Sequence, residues 1–229
     1  MRRYKGEALT IRAMVYFDLV RFFGDIPLKL ESSKPDLSNA YLGKTDRDVI
    51  LDTLMNDLDE AIELLPWAGT NSTYTTERVT RGYAHALLAQ IALTRAGWVI
   101  REQAKEGYET AAYTDAVYPT QRPGADVRKA LYERALTHLS AVIQDPTHNL
   151  NPSFENEWYL LNQLKLDETW RENLFEVPFG EATGELGYTI GVRTNKTTDF
   201  GGNSSGKQKM TSTLFWSYQP GDTRRDITC

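Results

Sequence analysis

The residues of this 229-residue chain best suited to chemistry are aromatic rings beside turns, and the chemistry they suit is recognition. Trp67, Tyr74, Trp98, Tyr118 and Tyr188 fall at expected helix ends or in loops. A flat apolar ring placed there stacks on the face of a sugar, while Asn71, Arg193 and Asn195 offer hydrogen bonds to hydroxyls. Such a set makes a concave, mostly apolar site with few polar groups. The candidate ligand-binding residues are therefore Trp67, Tyr74, Trp98, Tyr188, Arg193 and Asn195. The competing reading of each ring is a place in the core, because aromatics serve cores and ligand platforms alike.

Bond-breaking chemistry finds no comparable support. The three histidines, His85, His138 and His148, show no H-E-x-x-H spacing and no paired cysteines accompany them, so no metal site is expected. His85 and His138 lie on apolar helical patterns and read as structural. Residues 202–206 spell G-x-S-x-G, but that elbow needs a buried strand before it and a helix after it. Thr197-Thr198-Asp199 and Lys207-Gln208-Lys209 supply neither. Asp57, Asp59, Glu60 and Glu63 lie mostly on the outer face of an expected helix, which suits a solvated surface better than a glycosidase pair. Phosphate-binding loops of either common type are absent. No catalytic residues and no cofactor are expected.

The elements that would hold these rings are mainly helical. Leu9, Ala13, Tyr16, Phe17, Val20 and Phe23 recur at three- and four-residue steps and predict a helix over residues 4–23. Ile11, Val15, Leu19 and Phe22 widen its apolar face, which implies burial on most sides. Gly24 follows as a C′ glycine. Thr45 resembles an N-cap, with Asp46 and Asp48 in the first turn, for a helix reaching about Leu65 and stopped by Pro66. Its stripe is Ile50, Leu54, Leu58, Ala61, Ile62 and Leu65. Thr80 is read as capping an alanine-rich helix through about Trp98, and small residues there permit close helix approach. Residues 101–124 weaken into a loop or insertion. A helix from Asp126 to Asp145 follows, with Val127, Leu131, Ala135, Leu139, Val142 and Ile143 on one face, then a weaker one over 154–166. Residues 174–179 read as extended, and residues 180–206 hold seven glycines among Ser, Thr and Asn.

The expected fold is mainly α: tetratricopeptide-like helical hairpins with an irregular, glycine-rich segment and minor β. Arg12 and Gly82 lie 70 residues apart, close to two 34-residue repeat periods. Residues 1–170 form the expected helical-repeat scaffold and 171–229 an incomplete, irregular ligand-binding subdomain, the two read as parts of one intertwined domain cut from a longer protein.

Charge and composition narrow the partners. Lys and Arg number 26 against 31 Asp and Glu, a net charge of −5, which disfavours nucleic acid. Apolar residues make up 41% and charged residues 25%, as in an ordered globular chain. Cys229 alone forms no internal disulfide. The longest uncharged apolar stretch, residues 82–94, is too short to span a bilayer, and Glu7, Arg12 and Asp18 interrupt any N-terminal signal.

A resemblance sharpens this. Glu7-Ala8, Arg12-Ala13, Tyr16-Phe17-x-Leu19 and Phe23-Gly24-Asp25-Ile26-Pro27-Leu28 resemble the helix-and-turn signature of the SusD/RagB family of nutrient-uptake lipoproteins. Four further stretches are similar to that family in the same order: Asp57-Leu58 to Leu65-Pro66, Thr80 to Ala89, Glu172 to Val177, and Gly221-Asp222-x-Arg224-Arg225-Asp226. Only residues 101–124 fall outside the likeness. The resemblance implies helix pairs carrying an irregular ligand-binding part, no catalysis, and a lipid-anchored protein on the outer-membrane surface. That protein would pass oligosaccharides, or peptides, to a TonB-dependent transporter of the SusC type. Its lipid-attachment cysteine would lie upstream, so membrane contact would run only through an anchor missing from this chain, and Cys229 is not that residue. Two other readings stay open: a helical-repeat adaptor that binds protein alone, and an α-rich glycoside hydrolase.

Overall fold

Four long amphipathic helices carry the apolar stripes. The computed structural model describes residues 2–180, 183, 186–190, 193–194 and 204–229. They fall into two compact units: Met1–Asn149 with Arg171–Phe175, and Leu150–Trp170 with Glu176–Cys229.

In the first unit, helix α1 (Arg2–Phe23) packs on α2 (Arg47–Leu64), α2 on α3 (Arg81–Ala96), and α3 on α4 (Ala125–Gln144). Ala13 and Phe17 of α1 meet the α2 stripe, in which Ile50, Leu54, Leu58 and Ala61 are fully enclosed. The alanines of α3 do what small residues do between helices: Ala84, Ala89 and Ala92 are completely buried, so their neighbours approach closely.

Several local expectations are corrected. Ile11, Val15, Leu19 and Phe22 of α1 are exposed, so α1 buries one face and not most sides. On α4 only Leu131 and Ala135 are buried, while Ile143 is exposed. The N-cap of α2 is Asp46, whose carboxylate accepts from the Asp48 amide at 2.8 Å. Thr45 lies one residue outside the cap, its amide donating to the Ile26 carbonyl at 2.9 Å and closing the loop over residues 25–44. Thr80 stands at the N-cap of α3, but its side chain makes no capping bond. Gly24 does adopt positive φ, +74°, and a side chain there would collide with Arg47.

The β structure lies in the insertion. Strands β1 (Val99–Ile100), β2 (Tyr108–Thr110) and β3 (Thr120–Pro123) form an antiparallel sheet in the order β1-β3-β2, with Val99 opposite Gln121 and Glu109 opposite Arg122. Residues 174–179 pair with no strand.

The second unit holds α5 (Phe154–Asn162), α6 (Leu186–Thr189), α7 (Ser212–Ser217) and α8 (Arg224–Thr228), with α5 touching α8. Among its described residues the buried side chains are polar: Asn151, Glu157 and Asp167. Among the described residues no helix is long and apolar enough to cross a membrane.

Candidate ligand-binding cleft

The six residues singled out by sequence meet different fates. Tyr74 is buried at 1% exposure and has no free face for a sugar. Its hydroxyl donates to Glu7 Oε1 at 3.0 Å, and Arg78 Nη2 donates to both Glu7 oxygens at 2.7 and 2.8 Å. Tyr74 thus ties the turn region to α1. Replacing it with phenylalanine should lower stability by about 1 kcal/mol, the net worth of one such bond. A urea midpoint unchanged from wild type would contradict that structural role.

Trp67 is half-buried in a histidine cluster. The His85 ring stacks on it with centroids 5.8 Å apart and 15° between planes, and His148 leans against it at 6.1 Å. All three histidines of the chain collect here, since His138 Nδ1 lies 2.8 Å from His85 Nδ1. Gly82 makes the fit possible: a Cβ on it would stand 2.6 Å from His148 Nε2 and 3.2 Å from the Trp67 ring. Trp98 is exposed, with the Arg122 guanidinium 4.4 Å above its ring. His85 lies near the start of α3 and Trp98 beyond its C-terminal end, with about 16 Å of helix between them at 1.5 Å per residue, so Trp67 and Trp98 do not line one hollow.

Tyr188, on α6, is exposed. Its carbonyl accepts from the Ser205 amide at 2.7 Å and from the Ser204 and Ser205 hydroxyls at 3.2 and 3.1 Å. Those serines belong to the G-x-S-x-G stretch, of which Gly202 and Asn203 lie outside the described residues. Arg193 is exposed, and Asn195 lies outside the described residues.

Among the described residues, a ligand-sized concavity lies elsewhere. A cleft of about 460 Å³ lies in the second unit, lined by Asn156, Leu160, Lys165, Leu166, Asp167, Glu168, Thr169 and Trp170. That volume falls in the range of roughly 300–1,000 Å³ usual for small-molecule sites. It lies before the glycine-rich segment to which sequence assigned ligand binding.

Local signals build it. Ser153 caps α5, its hydroxyl accepting from the Asn156 amide at 3.1 Å, and Glu155 and Glu157 sit in the first turn where the helix dipole favours them. Asn156 and Leu160, four apart, present one face to the cleft. The helix ends where Leu164 takes φ +56°. The Lys165 amide then reaches back to Leu160 at 2.9 Å, and the Leu164 amide to Leu161 at 3.4 Å, the paired bonds of a Schellman cap. This reversal lays residues 165–170 alongside α5. Asp167 holds the next turn: its Oδ1 accepts from the Thr169 and Trp170 amides at 3.1 and 2.9 Å. Trp170 emerges from that turn at the surface. The arrangement offers an indole, an amide, two carboxylates and an ammonium around one hollow. It is equipped to bind and orient.

Among the described residues, no three His, Cys, Asp or Glu side chains converge as metal ligands. A further polar hollow among the described residues, about 310 Å³ and lined by Asp25, Lys44, Asp46, Arg101, Glu102, Gln103, Ala104 and Lys105, is occupied with its own ion pairs.

Comparison with known proteins places the chain. Residues 1–93 match the SusD-like family described as "Starch-binding associating with outer membrane". Over those residues the chain is similar to that family. A SusD-like protein of Formosa agariphila is 29% identical over 73 residues, 32% of this chain and 14% of that protein. Two solved structures share the fold. The surface glycan-binding protein A of Bacteroides uniformis aligns over 99% of this chain and 42% of its own, with 20% identity and a TM-score of 0.68. A SusD homologue of Bacteroides thetaiotaomicron aligns over 80% of this chain and 29% of its own, with 23% identity and a TM-score of 0.58. The chain therefore spans less than half the length of each of these relatives. Its tetratricopeptide-like, mainly helical architecture is that of the SusD-like structures.

Proposed function

We propose that this chain is part of a non-catalytic glycan-capturing protein at the outer-membrane surface, and that the cleft beneath Trp170 is a place where the sugar sits. The observation that carries the reading is the exposed indole of Trp170 beside the carboxylate and amide groups of a cleft large enough for a small oligosaccharide. Stacking on the ring supplies the apolar contact, and Asn156, Asp167 and Glu168 supply hydroxyl partners. Support comes also from the family description, starch binding at the outer membrane, and from the glycan-binding name of the Bacteroides uniformis relative. The helical stack acts as scaffold and the second unit as the ligand-bearing part. Hand-off to a TonB-dependent transporter of the SusC type, and attachment through a lipid anchor, complete the proposal.

Calorimetry against a panel of oligosaccharides tests it. Binding without release of shorter products is the expected result. Trp170→Ala should weaken binding about tenfold or more, as loss of a central aromatic contact does. Cleavage of the oligosaccharides, or a Trp170→Ala variant with wild-type affinity, would count against the reading.

A further inference from the structure

One group in the cleft is left without a partner by its own fold. Asp167 is 95% buried, with 5% of its surface exposed, and only one of its carboxylate oxygens is used. Oδ1 accepts the two amides that shape the turn. Oδ2 is buried and receives no hydrogen bond. An ionised oxygen out of contact with both water and donors is costly, and the cost is removed by any donor that arrives. The one ammonium lining the cleft, Lys165, donates to Gln163 Oε1 at 3.0 Å. Glu168 adds a second carboxylate to the same lining. The cleft therefore combines an aromatic platform, an acceptor that lacks a donor, and an excess of negative charge.

We propose that Asp167 Oδ2 accepts a hydrogen bond from a hydroxyl of the bound sugar, and that it thereby restricts the cleft to uncharged oligosaccharides. This rests on the reading of the cleft as a glycan site. A neutral sugar brings hydroxyl donors, which the oxygen needs. A uronate or sulfated sugar brings a second anion against a carboxylate that is shielded from water, where charges are poorly screened. Oδ2 is covered, so reaching it takes a local side-chain shift at the cleft wall, where Lys165, Glu168 and Trp170 are all exposed.

The test uses the whole chain and three oligosaccharide sets of matched length: neutral glucans, uronate-containing chains and sulfated chains. Wild-type protein should bind at least one neutral set about tenfold or more tightly than either acidic set. This comparison needs no variant. Asp167→Asn keeps an oxygen for the two turn amides and puts an amide donor where Oδ2 stood. It should weaken neutral binding about tenfold and narrow the preference over acidic sugars, with the thermal midpoint held within a few degrees. Equal wild-type affinity for neutral and acidic sets overturns the inference. So does neutral binding that Trp170→Ala destroys and Asp167→Asn leaves intact, a result that spares the glycan reading. No binding by any set, or binding indifferent to both variants, removes the glycan reading of the cleft and the inference with it.

Discussion

Asp48→Ala is expected to destabilise the helical unit by about 3–5 kcal/mol, as removal of one partner from a buried ion pair does. Asp48 is 4% exposed and sits in the first turn of α2. Four side chains converge on it. Arg101 Nη1 approaches Oδ2 at 3.0 Å, Lys105 Nζ at 2.8 Å, and the Tyr108 hydroxyl donates to the same oxygen at 2.7 Å. Arg95 Nη1 stands 3.6 Å from Oδ1. Burial pushes the Asp48 carboxyl up, but the Lys105 and Tyr108 hydrogen bonds and the Arg95 and Arg101 charges outweigh it and hold it below the usual carboxylate value. The cluster joins α2 to the end of α3 and to the sheet insertion, so it fixes how residues 99–123 lie on the helices.

With alanine at 48, Arg95 and Arg101 remain buried, and only Arg95 retains a second carboxylate, Asp52 at 3.3 Å. The loss is that of stranded charge more than of a single bond. Urea unfolding followed by circular dichroism measures it. A double variant, Asp48→Leu with Arg101→Met, should recover part of the loss, because apolar groups of similar volume replace buried ion pairs at little cost. A loss below about 1 kcal/mol for Asp48→Ala would mean that the arginines swing out to water and that the cluster does not organise the insertion.

What the sequence reveals follows from the reach of each physical signal. The α2 stripe was legible because helical periodicity is local: Ile50, Leu54, Leu58, Ala61, Ile62 and Leu65 are all buried as spaced. The same periodicity misleads on α1, where Ile11, Val15, Leu19 and Phe22 are apolar yet exposed. Pattern reports which side chains are apolar, not whether a neighbour packs on them. The sheet was invisible because strands of two to four residues are too short for alternation to register, and of its two buried positions, Gln121 and Pro123, the first is polar, satisfied by Thr110 and Lys105. Tyr74 lies in a polar turn and reads as exposed, because its partner Glu7 is 67 residues away.

The cleft was missed for a different reason. Its walls are joined by Leu164 in a left-handed conformation that glycine or asparagine would have announced and leucine does not. The usable signal was Asp167 followed by Thr169 and Trp170, an acid able to cap a turn just before an aromatic ring. The criterion that picked Trp67 and Trp98 applies equally to Trp170.

The histidine cluster should make the helical unit acid-sensitive well above the range in which carboxylates protonate. His85 and His138 share one contact, Nδ1 to Nδ1 at 2.8 Å, so one ring donates and the other accepts. With His138 accepting, its remaining proton lies on Nε2, which faces Asp59 Oδ1 at 3.6 Å. Arg81 from α3 bears on His85, and Arg134 from α4 bears on His138 and pairs with Asp59. Trp67 covers the His85 ring. Burial, then the His138 and Arg81 charges, lower His85 from 6.5 to about 4 against the weaker opposing pull of Asp59. Burial also lowers His138, with Asp59 opposing and Arg134 assisting.

Both groups are thus neutral in the folded state and bind protons more readily when unfolded. The His85 contribution is complete above the unfolded value of 6.5 and drains away as pH falls toward about 4, and that of His138 changes in the same direction. Unscreened, the His85 shift alone would correspond to roughly 3 kcal/mol; the ring is only half-buried, so about 1–2 kcal/mol is expected. The Asp48 cluster does not blur this window, since its carboxyl, held below 3.8, begins to lose stability only at lower pH. Urea midpoints taken from pH 7.5 down to 4.5 should therefore fall for the wild-type chain. They should fall less for His85→Asn, which keeps a hydrogen-bonding group opposite His138 but cannot take up the proton. Parallel curves for the two proteins would show that the histidine pair does not govern the acid limb.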